Sequence, residues 1–256
     1  MSNNHGLFYA NGSYPQLLDF PACCLDLLMA PLSTGPQFDR VERSHEQARA
    51  SYNRISRFYG LIAGWSEKKG RETGLARLAA KNGEQVLEVG FGTGLALTAL
   101  ARAVGETGRV CGLDLSEAMV SLAQARLDRT GLAERVDLRV GDALALPYPD
   151  RSFDAVFMSF VLELFDTPEI PAVLAECRRV LRPGGRVGVV STSTSGPRTL
   201  VCRLYEWSHE RFPHVVDCRP MPVRAILESA EFSPTTTETI PMWGLGVEIV
   251  VANSHG

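Results

Sequence analysis

No uninterrupted apolar run in this chain reaches the roughly 18 residues needed to cross a bilayer. The nearest approach, Leu17 to Leu32, is broken by Asp19, Pro21, Asp26 and Pro31, and a charge in hydrocarbon costs about 2.5–3.5 kcal/mol on an insertion scale. Residues 17–32 are therefore a candidate for peripheral membrane contact or a lid helix, and not for a span. Disulfide scaffolding is also missing. The six cysteines, Cys23, Cys24, Cys111, Cys177, Cys202 and Cys218, form no C-x-x-C pair and lack the density of a stapled fold. They read as thiols of a reducing compartment. No basic stretch followed by an apolar segment and a small-residue cleavage site opens the chain, so the expected location is the cytoplasm. Long runs of one charge are absent too: 26 Lys and Arg stand against 29 Asp and Glu, for a formal net charge of -3. Without a basic stripe to track a phosphate backbone, nucleic acid is not an expected partner.

What is present is a globular composition, 45% hydrophobic and 21% charged over 256 residues, long enough for one α/β domain with appendages. Residues 1–43 mix Asn, Gly, Pro and Ser with a short apolar patch and are read as an N-terminal extension. From Ser44 to Ile62, Tyr52, Ile55, Phe58, Tyr59 and Ile62 recur at helical intervals. A second helix is expected over about Ser66 to Ala80, ended by Asn82-Gly83.

Short apolar runs then alternate with helical stretches, the mark of βαβ units. Strands are expected at Gln85–Val89, Arg109–Leu115, Val136–Val140, Phe153–Phe160 and Arg186–Ser191. Helices are expected at Leu95–Val104, Ser116–Arg129 and Pro168–Leu181, the last stopped by Pro183-Gly184-Gly185. Ser116 is the expected N-cap, with Glu117 in the first turn. Further helices are read at Leu200–Arg211 and Val223–Ala230, and Thr235–Ile240 with Gly246–Val250 form a closing antiparallel pair.

The most informative residues are Glu88-Val89-Gly90-Phe91-Gly92-Thr93-Gly94, between a strand and a helix, where an open α/β sheet binds its ligand. Asp114 ends the next strand about twenty residues later, the spacing at which an acid takes the two hydroxyls of an adenosine ribose. A dinucleotide site shares these features, but its last glycine, which lets a pyrophosphate reach the helix N-terminus, is replaced here by Leu95 or Leu97. An acid two residues before the first glycine suits a cationic ligand better than a pyrophosphate.

With these motifs in order, the chain resembles the class I S-adenosylmethionine (SAM)-dependent methyltransferases, in the branch similar to ubiquinone/menaquinone C-methyltransferases and some phospholipid methyltransferases. The resemblance covers roughly Tyr52 to Thr192. It implies a Rossmann-like α/β fold with a seven-stranded, mostly parallel sheet, an antiparallel closing strand and helices on both faces. Lid helices would occupy residues 44–82 and the core residues 83–256.

The same resemblance implies SAM as cofactor and S-adenosylhomocysteine as product. Glu88, Gly90, Phe91, Gly92, Thr93 and Gly94 would contact its methionine part, the acid orienting the ammonium. In Gly112-Leu113-Asp114-Leu115-Ser116 the acid would hold the ribose, with Leu115, Ser116 and Met119 beside it. Gly141-Asp142-Ala143 would meet the adenine. Leu181-Arg182-Pro183-Gly184-Gly185 resembles the family's turn before strand five. Ser159 and Phe160 would border cofactor and acceptor, and Tyr52 and Tyr59 would lie on the lid, Tyr59 toward the cofactor and Tyr52 toward the substrate.

Strand four ends in Ser159-Phe160-Val161-Leu162, without the Asn/Asp-Pro-Pro-aromatic motif of amine methylation or the Pro-Cys nucleophile of cytosine methylation. Those substrates are therefore not expected, and the resemblance, together with the Leu17 to Leu32 patch, implies a small hydrophobic or amphiphilic acceptor. Substrate contacts are expected from Tyr52, Glu163, Tyr205 and His209, with Glu163 on a solvated turn. Tyr205, Glu206, His209, Glu210 and His214 form a polar cluster in which to seek a base. The histidine spacing misses H-E-x-x-H by one residue and Pro213 would break the helix between them, so no metal is expected. A non-catalytic SAM-binding module is the alternative, and a nicotinamide oxidoreductase ranks behind both.

Overall fold

Five of the apolar runs become parallel strands because they are bounded by glycine or polar turns and flanked by amphipathic helices long enough to cross back over a sheet. The computed structural model describes residues 67–193, 220–242 and 244–255. In it β1 (Gln85–Val89), β2 (Arg109–Asp114), β3 (Val136–Val140), β4 (Phe153–Ser159) and β5 (Leu181–Ser193) pair in parallel. A hairpin of β6 (Phe232–Met242) and β7 (Leu245–Ser254) completes the sheet, β7 running antiparallel to both β5 and β6. The order across the seven strands is β3-β2-β1-β4-β5-β7-β6, a mostly parallel sheet with the antiparallel closing strand that the resemblance implies. Central β1 and β4 are buried almost throughout, which their continuous apolar runs require, whereas edge strand β3 is half-exposed.

Side chains alternate between the two faces. Val86, Phe157, Val190 and Ile249 pack with α1 (Lys68–Leu78), α2 (Leu95–Ala103) and α3 (Glu117–Thr130). Leu87, Val156, Met158, Val189 and Val250 pack with α4 (Ile170–Val180) and α5 (Val223–Ser229) on the other face. Met119, Ala123 and Leu127 are the buried stripe of α3, and its N-cap is Ser116, whose hydroxyl accepts from the Met119 N–H at 3.3 Å. Helix α4 stops at Val180, and β5 begins at Leu181, earlier than the expected Arg186. Leu181 already pairs with Phe153. The register then shifts and resumes at Ala155 with Arg186, leaving the exposed Pro183-Gly184 out of the ladder, as a residue without an N–H demands.

Helix α1 lies so close to the sheet that a Cβ on Gly74 would stand 2.3 Å from Val190 Cγ2 and 3.2 Å from Phe157 Cε2. Valine is stiff at χ1 and cannot swing away. Gly74→Ala should therefore destabilise by about 1–3 kcal/mol through overpacking, although alanine gains about 1 kcal/mol of helix propensity. Thermal unfolding of the variant measures this, and a rise in Tm would show that the approach is looser than described.

Several expected features lie outside the described residues: the helices at Ser44–Ile62 and Leu200–Arg211, residues 17–32, and the side chains Tyr52, Tyr59, Tyr205, Glu206, His209, Glu210 and His214. Among the described residues no helix is long and apolar enough to cross a membrane.

Candidate functional site

Strands β1, β2, β4 and β5 present their C-terminal ends on one edge of the sheet, and the chain departs to opposite faces after β1 and β4, which are neighbours. A crevice opens at such a switch point. The glycine turn after β1 lines it. The Gly90 N–H donates to Leu113 O at 2.7 Å, and its φ of +67° carries the chain away from the strand. A Cβ there would lie 2.2 Å from Val161 Cγ2, so the turn can touch the segment after β4 because Gly90 has no side chain. Gly92, with φ +52°, is different: a Cβ on it would meet nothing within 4 Å. Its open side is space for a ligand.

Asp114 holds this turn from β2. Its Oδ2 accepts from the Gly92 N–H at 2.9 Å and its Oδ1 from the Ser116 N–H at 2.9 Å. Burial nevertheless moves its carboxyl above the ordinary value, outweighing the N–H groups of Ser116, Gly92 and Leu115. Leu115 is half-buried just beyond it, whereas Met119 is buried among Phe91 and the helices of that face. The third motif lies alongside: the Gly141 N–H donates to Asp114 O at 3.0 Å, Asp142 Oδ1 accepts from the Leu144 N–H at 2.9 Å, and Ala143 is buried. The Arg126 Nε–H donates to Thr93 O at 2.8 Å and ties the turn to α3.

Glu88, at the head of the turn, is 2% exposed and its Oε2 has no partner. Burial raises its carboxyl well above the ordinary value, opposed by Arg71 and reinforced by Asp114. Across the crevice β4 ends at half-buried Ser159, one residue before the sequence predicts. Phe160 instead has φ +55°, donating its N–H to Val190 O at 2.7 Å, and its ring reaches within 3.0 Å of where a Cβ on Gly70 of α1 would be. A left-handed phenylalanine is a strained conformation of the kind that gathers at functional sites.

Glu163 is not on a solvated turn. It sits on the 3-10 turn Leu162–Leu164 with 0% exposure, because the chain reversal at Phe160 folds this turn inward against β5. Its Oε1 accepts from the Thr192 N–H at 3.3 Å and the Thr192 hydroxyl at 3.2 Å, while Oε2 has no partner. Burial pushes its carboxyl up to about 7 despite the hydroxyls of Ser191 and Thr192. Glu67, just before α1, is pushed to about 8 by burial and by the charge of Glu163, opposed by Arg71. Sequence reasoning missed Glu67, Arg71 and Thr192. The i, i+4 spacing of Glu67 and Arg71 marks one helix face, but nothing in sequence says which strand ends that face meets. Among the described residues no group of three or more His, Cys, Asp or Glu is arranged to hold a metal ion.

A family model described as a methyltransferase domain matches residues 86–185. The chain is 38% identical over 156 residues to the demethylmenaquinone methyltransferase of Lactobacillus johnsonii, covering 61% of this chain and 59% of that protein. It is 37% identical over 174 residues to the demethylmenaquinone methyltransferase of Geobacillus kaustophilus, covering 68% of this chain and 71% of that one. The match thus spans 59% to 71% of these relatives' lengths. A SAM-dependent methyltransferase from Aquifex aeolicus has the same fold, with a TM-score of 0.54 at 24% identity over 72% of this chain and 89% of its own. From its ordered motifs, its sheet and these relatives, the chain belongs to the class I SAM-dependent methyltransferase family, close to the quinone methyltransferases.

Proposed function

We propose that this chain transfers the methyl group of SAM to a reduced quinone or similar hydroxylated aromatic small molecule. The observation that carries the reading is the crevice itself: an open glycine turn with a buried, unpartnered Glu88 oxygen at its head and the Asp114 carboxylate at its base. These residues fit the cofactor. Glu88 Oε2 would take the ammonium of the methionine part and Gly92 gives its chain room. The Asp114 oxygens, though held by backbone N–H groups, retain acceptor capacity for a ribose hydroxyl. Asp142 and Ala143 would meet the adenine, and Ser159 and Phe160 would face the reacting end. Tyr59 is proposed for the cofactor and Tyr52, Glu163, Tyr205 and His209 for the acceptor, with residues 1–43 an extension and residues 44–82 contributing the cover.

When bound, SAM supplies an electrophilic methyl on a cationic sulfur, transferred in line to an electron pair of the acceptor. The protein's main task is then alignment in a dry pocket, which can contribute on the order of 7–11 kcal/mol. Glycine-turn amides, Glu88 and Asp114 fix one reactant; the strained turn at Phe160 and the first turn of α1 wall off the other. We place the reaction in the cytoplasm, on an acceptor apolar enough to favour such a pocket. Calorimetry with SAM and with S-adenosylhomocysteine tests the cofactor half, and absence of micromolar affinity for both would overturn it. Mass-spectrometric screening of quinols, phospholipids, thiols and amines tests transfer. Tight cofactor binding with no methylated product from any class would instead establish a non-catalytic binding module.

A further inference from the structure

We infer that Glu163 is the proton acceptor for an ionisable O–H of the methyl acceptor, with Thr192 fixing one carboxylate oxygen so that the other meets the substrate. This deepens the methyl-transfer reading and rests on it. Val161, two residues before Glu163, is the side chain that a Cβ on Gly90 would strike, so the turn carrying Glu163 abuts the glycine loop. The left-handed backbone at Phe160 sends the chain inward, and Leu162 and Glu163 are both fully buried.

A carboxyl so buried is costly unless paired or put to use. Among the described residues no ion pair reaches Glu163; the groups acting on it are the Ser191 and Thr192 hydroxyls and the Thr192 N–H on β5, and its own charge acts on Glu67 before α1, which Arg71 opposes. Oε1 is held twice by Thr192, and Oε2 is held by nothing. Such an arrangement orients a carboxylate without satisfying it. Glu67 and Glu163 are electrostatically coupled, the charge of Glu163 raising the Glu67 carboxyl further.

This chemistry selects the acceptor. Thioethers and tertiary amines have no proton to lose before methylation, whereas a phenol or hydroquinone does. The hydroxyl O–H breaks and its proton passes to Glu163 Oε2. The freed electron pair, on oxygen or delocalised onto the adjacent ring carbon, forms the new bond to the methyl carbon as the pair of the C–S bond stays on sulfur. A carbon acceptor then loses its ring proton to water as aromaticity returns, while Glu163 gives its own proton back to the oxygen. One proton is released to solvent overall.

The test uses the full chain with SAM and a reduced 2-prenyl-1,4-naphthoquinone, following kcat and KM from about pH 5.5 to 9. Glu163→Gln should lower kcat by roughly 10²–10⁴-fold, abolish the acid limb of the profile, and leave the calorimetric affinity for SAM within about threefold. In the unliganded protein a protonated-carboxyl infrared band that titrates near neutral pH should vanish with it. Thr192→Val removes a hydrogen bond that favours the carboxylate, so its acid limb should move to higher pH, with activity recovered there. An active wild type whose Glu163→Gln variant keeps both rate and acid limb would overturn this inference alone, as would an unshifted limb in Thr192→Val. A wild type that methylates no hydroxylated aromatic would overturn the methyl-transfer reading and this inference with it.

Discussion

Replacing Asp114 by alanine should weaken SAM binding by about 100-fold or more, roughly 3 kcal/mol, because one carboxylate does two jobs. Hydrogen bonds to a charged group contribute about 1.5–3 kcal/mol each, and a ribose pair alone would account for most of the loss. The carboxylate also accepts from the Gly92 and Ser116 N–H groups at 2.9 Å each, so its removal frees the glycine turn and leaves two partly buried donors unpaired. Asp114→Asn sharpens the measurement. Whichever way its amide turns, the NH2 group opposes one backbone N–H, so affinity should fall by at least tenfold with little change in shape. Calorimetry on both variants decides the matter. A loss smaller than about threefold in the alanine variant would mean that the cofactor's sugar lies elsewhere.

That double duty also marks where sequence reasoning stopped. The acid at the end of the second strand is legible from spacing alone, since about twenty residues separate it from a glycine turn in any βαβ unit of this kind. The strand positions and the Ser116 cap are legible for the same reason: they follow from local periodicity and capping chemistry. What spacing cannot give is which side chains from distant segments share one crevice. Glu163 looks like a polar turn residue because the sequence around it, Leu162-Glu163-Leu164-Phe165-Asp166, contains charge and precedes a helix. Its burial depends on the backbone reversal at Phe160, and no proline or glycine announces that reversal. Glu67 and Arg71 are likewise ordinary helix-start charges until α1 docks on β4 and β5 through Gly70 and Gly74.

The buried acids should make the unliganded protein less stable as pH rises from about 5 to 8.5, and should make cofactor binding tighter as pH rises. Glu163 has a folded value of about 7 and Glu67 of about 8, against an ordinary 4.5. Their contribution is therefore complete below about pH 4.5 and is lost as pH climbs through 7 and 8. For Glu163 alone the change is on the order of 3 kcal/mol, a fall in Tm of roughly 5–10 °C for a domain of this size. Glu176, held low by its hydrogen bonds from Arg179, acts in the opposite sense, but its contribution is already complete above the ordinary carboxylate range and leaves this window untouched. Thermal unfolding of Glu163→Gln should give a flatter profile. Glu88 links the same physics to the ligand: burial raises its carboxyl well above the ordinary value, and an ammonium beside it would favour the ionised form and draw that value down, so binding is linked to proton release. Affinity for SAM and for S-adenosylhomocysteine should rise with pH, by at most tenfold per unit, until the ligand's own α-amino group begins to titrate near about 8. Glu88→Gln should abolish that slope for both ligands and stabilise the unliganded protein at alkaline pH. A slope that survives the substitution would assign the released proton, and the ammonium contact, to another group.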